Sequence, residues 1–218
     1  MTSTDRPRAP HLDDDLTPHV TSELVDETDW TNARVSGDVA GQRAAGVEIS
    51  GCHVSGMRLT GARLERLRVV DTVFEMCELS GAIFHEAVFT RVEFRHCRLS
   101  GFVASSARLD DVRFVESRLD EANLRLATGQ RVEFDHGDLT RIDLYGSTLK
   151  LARWVDCDLT SAELSSATLT GARLTRCRLD DLKGVLALRG VVIDTDSQVP
   201  VALALLAALD ITIDHDES

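Results

Sequence analysis

From Ile49 to Leu179, every fifth residue is large and apolar, and among these 27 positions only Ala104 and Gly129 depart from the rule. An α-helix repeats its apolar face about every 3.6 residues and a strand every second residue, so neither period produces this pattern. A fixed period held over most of a chain points to stacked repeats that share one continuous core. Two residues before each large position runs a second inward column, Val47, Cys52, Met57, Ala62, Leu67, Thr72, Cys77, Ala82 and Ala87, which stays small or apolar through to Cys177. The other three positions of each five are mostly polar or charged. Aromatic residues make up only 5% of the chain, a balance that suits thin repeated layers better than a core of large rings.

A large centre with a small residue two places before it, as in Ala62-Arg63-Leu64 and Ala122-Asn123-Leu124, resembles the Ala-(Asp/Asn)-Leu-x-x pattern of the pentapeptide-repeat family. The middle residue here is often Arg or Glu, where the family favours Asp or Asn. The resemblance implies an all-β solenoid, a right-handed quadrilateral β-helix in which four pentapeptides, one per side, complete each coil. A 20-residue test of that winding lies in the sequence itself. Leu59, Leu79, Leu99, Leu119, Leu139, Leu159 and Leu179 form a leucine ladder, and Val54, Phe74, Phe94, Phe114, Phe134, Trp154 and Leu174 form a mainly aromatic one. At Phe102-Val103-Ala104 the large and small residues exchange places, which roughly conserves core volume. With coils spaced like paired strands, about 4.8 Å apart, the repeats make about 7 coils and a body roughly 32 Å long.

The open ends of such a stack need caps. Residues 1–19 hold three prolines and the run Asp13-Asp14-Asp15, and read as a disordered acidic tail. Residues 20–46 keep a weak fivefold signal through Trp30, Val35 and Ala40, one residue out of register with Ile49, and read as an irregular N-terminal cap coil with Trp30 closing the bottom layer. The β-helix occupies residues 47–183. Residues 184–213 form a C-terminal cap, in which Val185 to Ile193 is a last irregular coil and Asp194-Thr195-Asp196-Ser197 supplies a helix N-cap. A short α-helix over about 197–209 and a short strand at Ile211-Thr212-Ile213 follow, and residues 214–218 are a tail.

The helix is apolar on every face, so it is expected to be covered on more than one side, by the end of the coil and by a partner. This ending is similar to the C-terminal dimerisation module of gyrase-protecting proteins of the Qnr and MfpA kinds. The resemblance makes Val199, Val201, Leu203, Leu205, Leu206, Leu209, Ile211 and Ile213 candidate dimer-interface residues. It makes Asp194, Asp196, Asp210, Asp214, Asp216 and Glu217 a candidate acidic partner-binding surface. The function it implies is that of a non-catalytic, homodimeric module that mimics DNA and modulates or protects a type II topoisomerase, DNA gyrase. The alternative is a rigid protein-interaction scaffold with an unrelated partner.

Charge argues against mimicry by the whole body. The formal net charge of −12 is concentrated at the ends: residues 47–183 carry 21 acids against 19 bases, a net −2. Duplex DNA of the same length would carry on the order of 19 negative charges at about one per 1.7 Å. Arg and acid interleave on the outside, as for Arg113 with Glu93 and Glu133, and read as solvated cross-layer pairs of small individual worth. The column Met76, His96, Glu116, His136 and Asp156 suggests a metal, but His96 and His136 would stand about 9.6 Å apart, too far to share one zinc.

All five cysteines, Cys52, Cys77, Cys97, Cys157 and Cys177, fall in the small inward column and read as unpaired buried thiols. The sequence contains no GxSxG, HExxH or Walker motif, so no enzyme and no cofactor is expected. It has no apolar run near the roughly 20 residues that span a bilayer, so a cytoplasmic protein with neither membrane nor direct nucleic-acid contact is expected.

Overall fold

Phe74, Phe94, Phe114, Phe134 and Trp154 stack as a column in the computed structural model, which describes residues 5–211. Successive ring centroids lie 4.9, 4.9, 5.1 and 5.6 Å apart, with planes within 9° of parallel. That spacing is the distance between neighbouring strands, so each ring belongs to one layer of a parallel sheet. Backbone pairing joins each residue to the one 20 places on: Phe94 faces both Phe74 and Phe114, and Phe114 faces Phe134. The chain winds as a right-handed quadrilateral β-helix of about nine turns, the repeats plus a cap coil at each end.

Two adjacent sides are extended enough to form eight-residue strands that run through the corner between them: Arg68–Glu75, Val88–Arg95, Arg108–Val115 and Thr128–Asp135. The other two sides are joined mainly by single bridges, such as Arg98 to Arg118 and Asn123 to Asp143. The leucine ladder from Leu59 to Leu179 is buried throughout, as is the inward column of small residues apart from Cys177. Phe102 fills the space left by Ala104 and meets Phe84 edge-on at 5.1 Å. At Gly129 the backbone runs so close to the coil below that a Cβ would stand 2.0 Å from the Leu109 carbonyl oxygen.

Each side ends at a corner residue with a left-handed backbone, at every fifth position from Gly46 to Asp181. Eight of these 28 corners are glycine and none is β-branched, as the steric cost of that conformation requires. The rest carry Asp, Glu, Arg, His, Ser, Met or Leu, whose side chains stand outside the core in vertical columns.

The N-terminal region departs from the expected disordered tail. Thr17–Thr21 is a strand paired in parallel with Ala33–Gly37, and the segment before it lies along the coil. Polar composition did not prevent order, because the first coil offers a strand edge and the coils above it offer the carboxylates of Asp71 and Asp111, which the segment satisfies. Residues 1–4 lie outside the described part. In the cap coil Trp30 pairs with Ile49 and Val35 with Val54, an offset of 19 residues. The offset returns to 20 at Asp38, which bridges Arg58. Gly37 takes up the missing residue, in a conformation where a Cβ would lie 1.7 Å from the Thr21 carbonyl oxygen. As a result Val39, rather than Ala40, is the buried residue of that turn, and Ala40 is exposed. Leu24 and Trp30 close the bottom layer.

Candidate interaction surfaces

The C-terminal cap begins with a 3-10 turn at Val185–Leu188 and a short strand, Val192–Ile193, that pairs with Arg173 and Leu174. Helix α1 follows at Gln198–Ala208, close to the expected span. Ser197 occupies the N-cap position without making the side-chain cap hydrogen bond. Asp194 does the structural work there, accepting the Ser197 amide at 3.0 Å and its hydroxyl at 2.7 Å, together with the Arg176 backbone amide of the coil. These bonds, the Arg176 amide foremost, hold its carboxyl below the usual carboxylate range. The helix ends with Asp210 in the left-handed conformation and the Ile211 amide donating to the Leu206 carbonyl, a Schellman arrangement.

Helix α1 sorts the predicted interface residues onto two sides. Val201 joins the core, with Ala204 and Leu205 packed against it. Val199, Leu203, Leu209 and Ile211 are at least half exposed, and Leu206 is intermediate. Between the helix and the coil end lies a cleft of about 770 Å³, lined by Leu179, Leu182, Val185, Leu186, Leu203 and Ala207 among others. The helix thus caps the stack through one edge and leaves uncovered an apolar face and a cleft of mixed lining, to which Ser165, Ser166, Asp180 and Asp181 also contribute. Ile211 is not in a strand, and Ile213 lies outside the described residues.

The described part of the predicted acidic surface is Asp194, Asp196 and Asp210. Asp194 is committed to holding the cap on the coil, which leaves Asp196 and Asp210 exposed. Asp214, Asp216 and Glu217 lie outside the described residues.

The outer ladders are ion-paired rather than simply solvated. Arg113 bridges Glu93 and Glu133 at 3.1 Å each, and Arg153 meets Glu133 at 3.1 Å. Glu93 and Glu133 are buried, contrary to the expectation of a solvated column, because the long side chains of neighbouring layers lie over them. At the next corner column His96 approaches Glu116 at 3.4 Å, and His136 sits between Asp135 at 2.8 Å and Asp156 at 3.5 Å. Asp135, His136 and Asp156 would be the donor set for a cation, but both Asp156 oxygens are engaged by Arg176. The thiols of Cys52, Cys77, Cys97, Cys157 and Cys177 are free, and all but the partly buried Cys177 are fully enclosed. Their sulfurs donate to backbone carbonyls, as Cys97 does to Phe74 at 3.4 Å.

Two features were missed by reading the sequence. One is an exposed cluster at a corner, where the Arg125 guanidinium lies 4.2 Å above the ring of Tyr145 and Leu126 stands exposed beside them. The other is the contact of the N-terminal segment with Asp71 and Asp111. Neither has a local signature, since each joins residues at least 20 positions apart.

The architecture defines a parallel β-solenoid built from five-residue sides, with charge-compensated faces and an apolar end. The chain belongs to the pentapeptide-repeat family: residues 87–153 match the pentapeptide repeat region, and residues 70–102 and 142–181 match the pentapeptide repeats proper. No curated protein matches it by sequence. Among solved structures it is similar to full-length QnrB1, a plasmid-mediated fluoroquinolone resistance protein, with a TM-score of 0.51 and 20% identity over 86% of this chain and 99% of that one. A trypsin-treated QnrB1 variant gives a TM-score of 0.52 and 19% identity over 92% of this chain and 100% of the other. No helix among the described residues is long and apolar enough to cross a membrane.

Proposed function

We propose that this protein is a non-catalytic interaction module that dimerises through helix α1 and engages a type II topoisomerase, in the manner of the fluoroquinolone-resistance proteins it resembles. The observation that carries the proposal is the likeness of fold to QnrB1 over most of this chain and nearly all of that one. The exposure of Val199, Leu203, Leu209 and Ile211 supports the dimer, because a cluster of exposed large apolar side chains is what a second helix would cover. A two-fold axis there joins two solenoids end to end into a rod, with Asp196 and Asp210 near its middle.

One observation favours a second reading, a rigid scaffold for an unrelated partner. The faces are neutralised layer by layer, as in the Glu93–Arg113–Glu133–Arg153 ladder, so the body presents no continuous phosphate-like charge. A gyrase supercoiling assay with and without a quinolone separates the two. Relief of quinolone inhibition, or inhibition of supercoiling, at micromolar protein supports the topoisomerase reading. No effect and no binding leaves the scaffold.

A further inference from the structure

Residues 5–16 cross the corner column Asp71, Arg91, Asp111, Arg131, which runs along the coil axis at 20-residue intervals. The column is built of two locked pairs. Arg91 forks onto Asp71 through Nε and a terminal nitrogen, and Arg131 does the same to Asp111. Each pair leaves carboxylate capacity turned outward, since a carboxylate accepts more bonds than one guanidinium fills.

The N-terminal segment uses that capacity. The Arg8 amide donates to Asp111 at 3.1 Å and its guanidinium at 2.8 and 2.6 Å, while the His11 amide donates to Asp71 at 3.1 Å. Three residues of extended chain cover about 10 Å, and two coil steps cover about 9.6 Å, so the main chain fits the repeat of the column. Pro10 keeps the connecting residues extended at no entropic cost beyond its own ring.

The two partners in this contact are very differently exposed. The Asp111 side chain is 0% exposed beneath its two arginines, whereas the Arg8 side chain remains 64% exposed. Among the described residues, Arg8 and His11 alone tie residues 5–16 to the coil by hydrogen bonds, with Pro7, Pro10, Leu12 and Leu16 half-buried. Asp13, Asp14 and Asp15 are exposed and join the segment to the strand at Thr17. The site is built into the repeat, while its occupant is held to it by four hydrogen bonds from two residues.

We propose that the Asp71–Asp111 corner column is a binding track for an extended, arginine-bearing segment of a partner protein, and that residues 5–16 occupy it in cis as a displaceable competitor. The track supplies an axial pair of carboxylates that read main-chain amides three residues apart, and Asp111 also reads the side chain of the arginine whose amide it accepts. A partner segment needs an arginine, an extended and proline-compatible backbone, and no acidic residue at the arginine position. This site lies on the side of the coil and is independent of the topoisomerase reading.

The test is fluorescence anisotropy of a labelled peptide with the sequence of residues 5–16, titrated with the full-length protein. With Arg8→Ala in the protein, the peptide binds about tenfold or more tightly than it binds wild type, because the competent state is no longer reduced by the cis segment. Replacing the peptide's own arginine by alanine abolishes binding, and Asp71→Asn in the Arg8→Ala protein weakens it. Arg8 is exposed, so its variant tests the idea without disturbing the core, and Asp71→Asn avoids the fully buried Asp111. Equal binding to wild type and Arg8→Ala, or no binding to either at about 100 µM, overturns the proposal. So does a wild-type dimer that Arg8→Ala dissociates in light scattering, since the occupant would then be a second copy of this chain.

Discussion

Phe114 is the middle ring of the aromatic column, stacked on Phe94 at 4.9 Å and on Phe134 at 5.1 Å, and it is 2% exposed. Phe114→Ala removes its buried surface and both stacking partners' central contact, and the flanking coils cannot close the gap because their backbone spacing is set by hydrogen bonds. The expected loss is therefore near that of other buried Phe-to-Ala changes, about 3–5 kcal/mol. For a chain of this size each kcal/mol lowers the thermal midpoint by about 2–4 °C, so the fall should be about 6–20 °C. Phe114→Asp should fall further, as it also buries a carboxylate with no partner. Circular dichroism melts give the midpoint. In a Trp30→Phe background, Trp154 fluorescence reports the transition from the ladder itself, since Trp154 stacks on Phe134 at 5.6 Å. Midpoints within about 2 °C of wild type for both variants would show that Phe114 is not inside the stack and that the register is wrong.

Three further outcomes are expected. Leu203→Glu, at the exposed edge of the cleft beside helix α1, should give a folded monomer in light scattering if the proposed dimer forms in wild type, while Leu205→Glu, packed against the core, should loosen the cap and lower the melting midpoint. Thiol titration of native protein should label the partly exposed Cys177 first and the other four only on unfolding; rapid reaction of all five would contradict their placement. Asp111 gives a pH signature. Burial alone would raise its carboxyl, but hydrogen bonds from Arg131 and Arg8 outweigh it and bring it from an ordinary 3.8 to about 2. A depressed carboxyl contributes stability that is full above its unfolded value and lost as pH falls towards the folded one. Wild type should therefore lose on the order of 2 kcal/mol more than Asp111→Asn between about pH 4 and pH 2 in urea titrations.

The repeat, its 20-residue coil and both ladders are legible in the sequence because each is a local rule applied many times. A residue's place in the layer follows from its position modulo five, and the layer's hydrogen bonds are made by backbone, which every residue supplies. The same arithmetic marks the left-handed corners, where the absence of β-branched residues from Gly46 to Asp181 is a signal that reading for hydrophobicity alone passes over. The Phe102–Ala104 exchange was also readable, since core volume within one layer is a local sum.

What the tertiary structure decided lies where that rule stops or where two distant columns meet. The burial of Val39 in place of Ala40 depends on Gly37 passing close to Thr21, a contact made only once the first strand has paired. The sides of helix α1 could not be assigned from an all-apolar sequence, because a helix without a polar face carries no record of which way it turns; the coil end chose Val201, Ala204 and Leu205. Asp194 looked like free surface acid until the Arg176 amide was brought to it from the coil. The ordering of residues 5–16 has the same cause. Composition describes how poorly that segment would bury itself, whereas its position is set by two carboxylates 60 and 103 residues away that only the winding of the coil places in line.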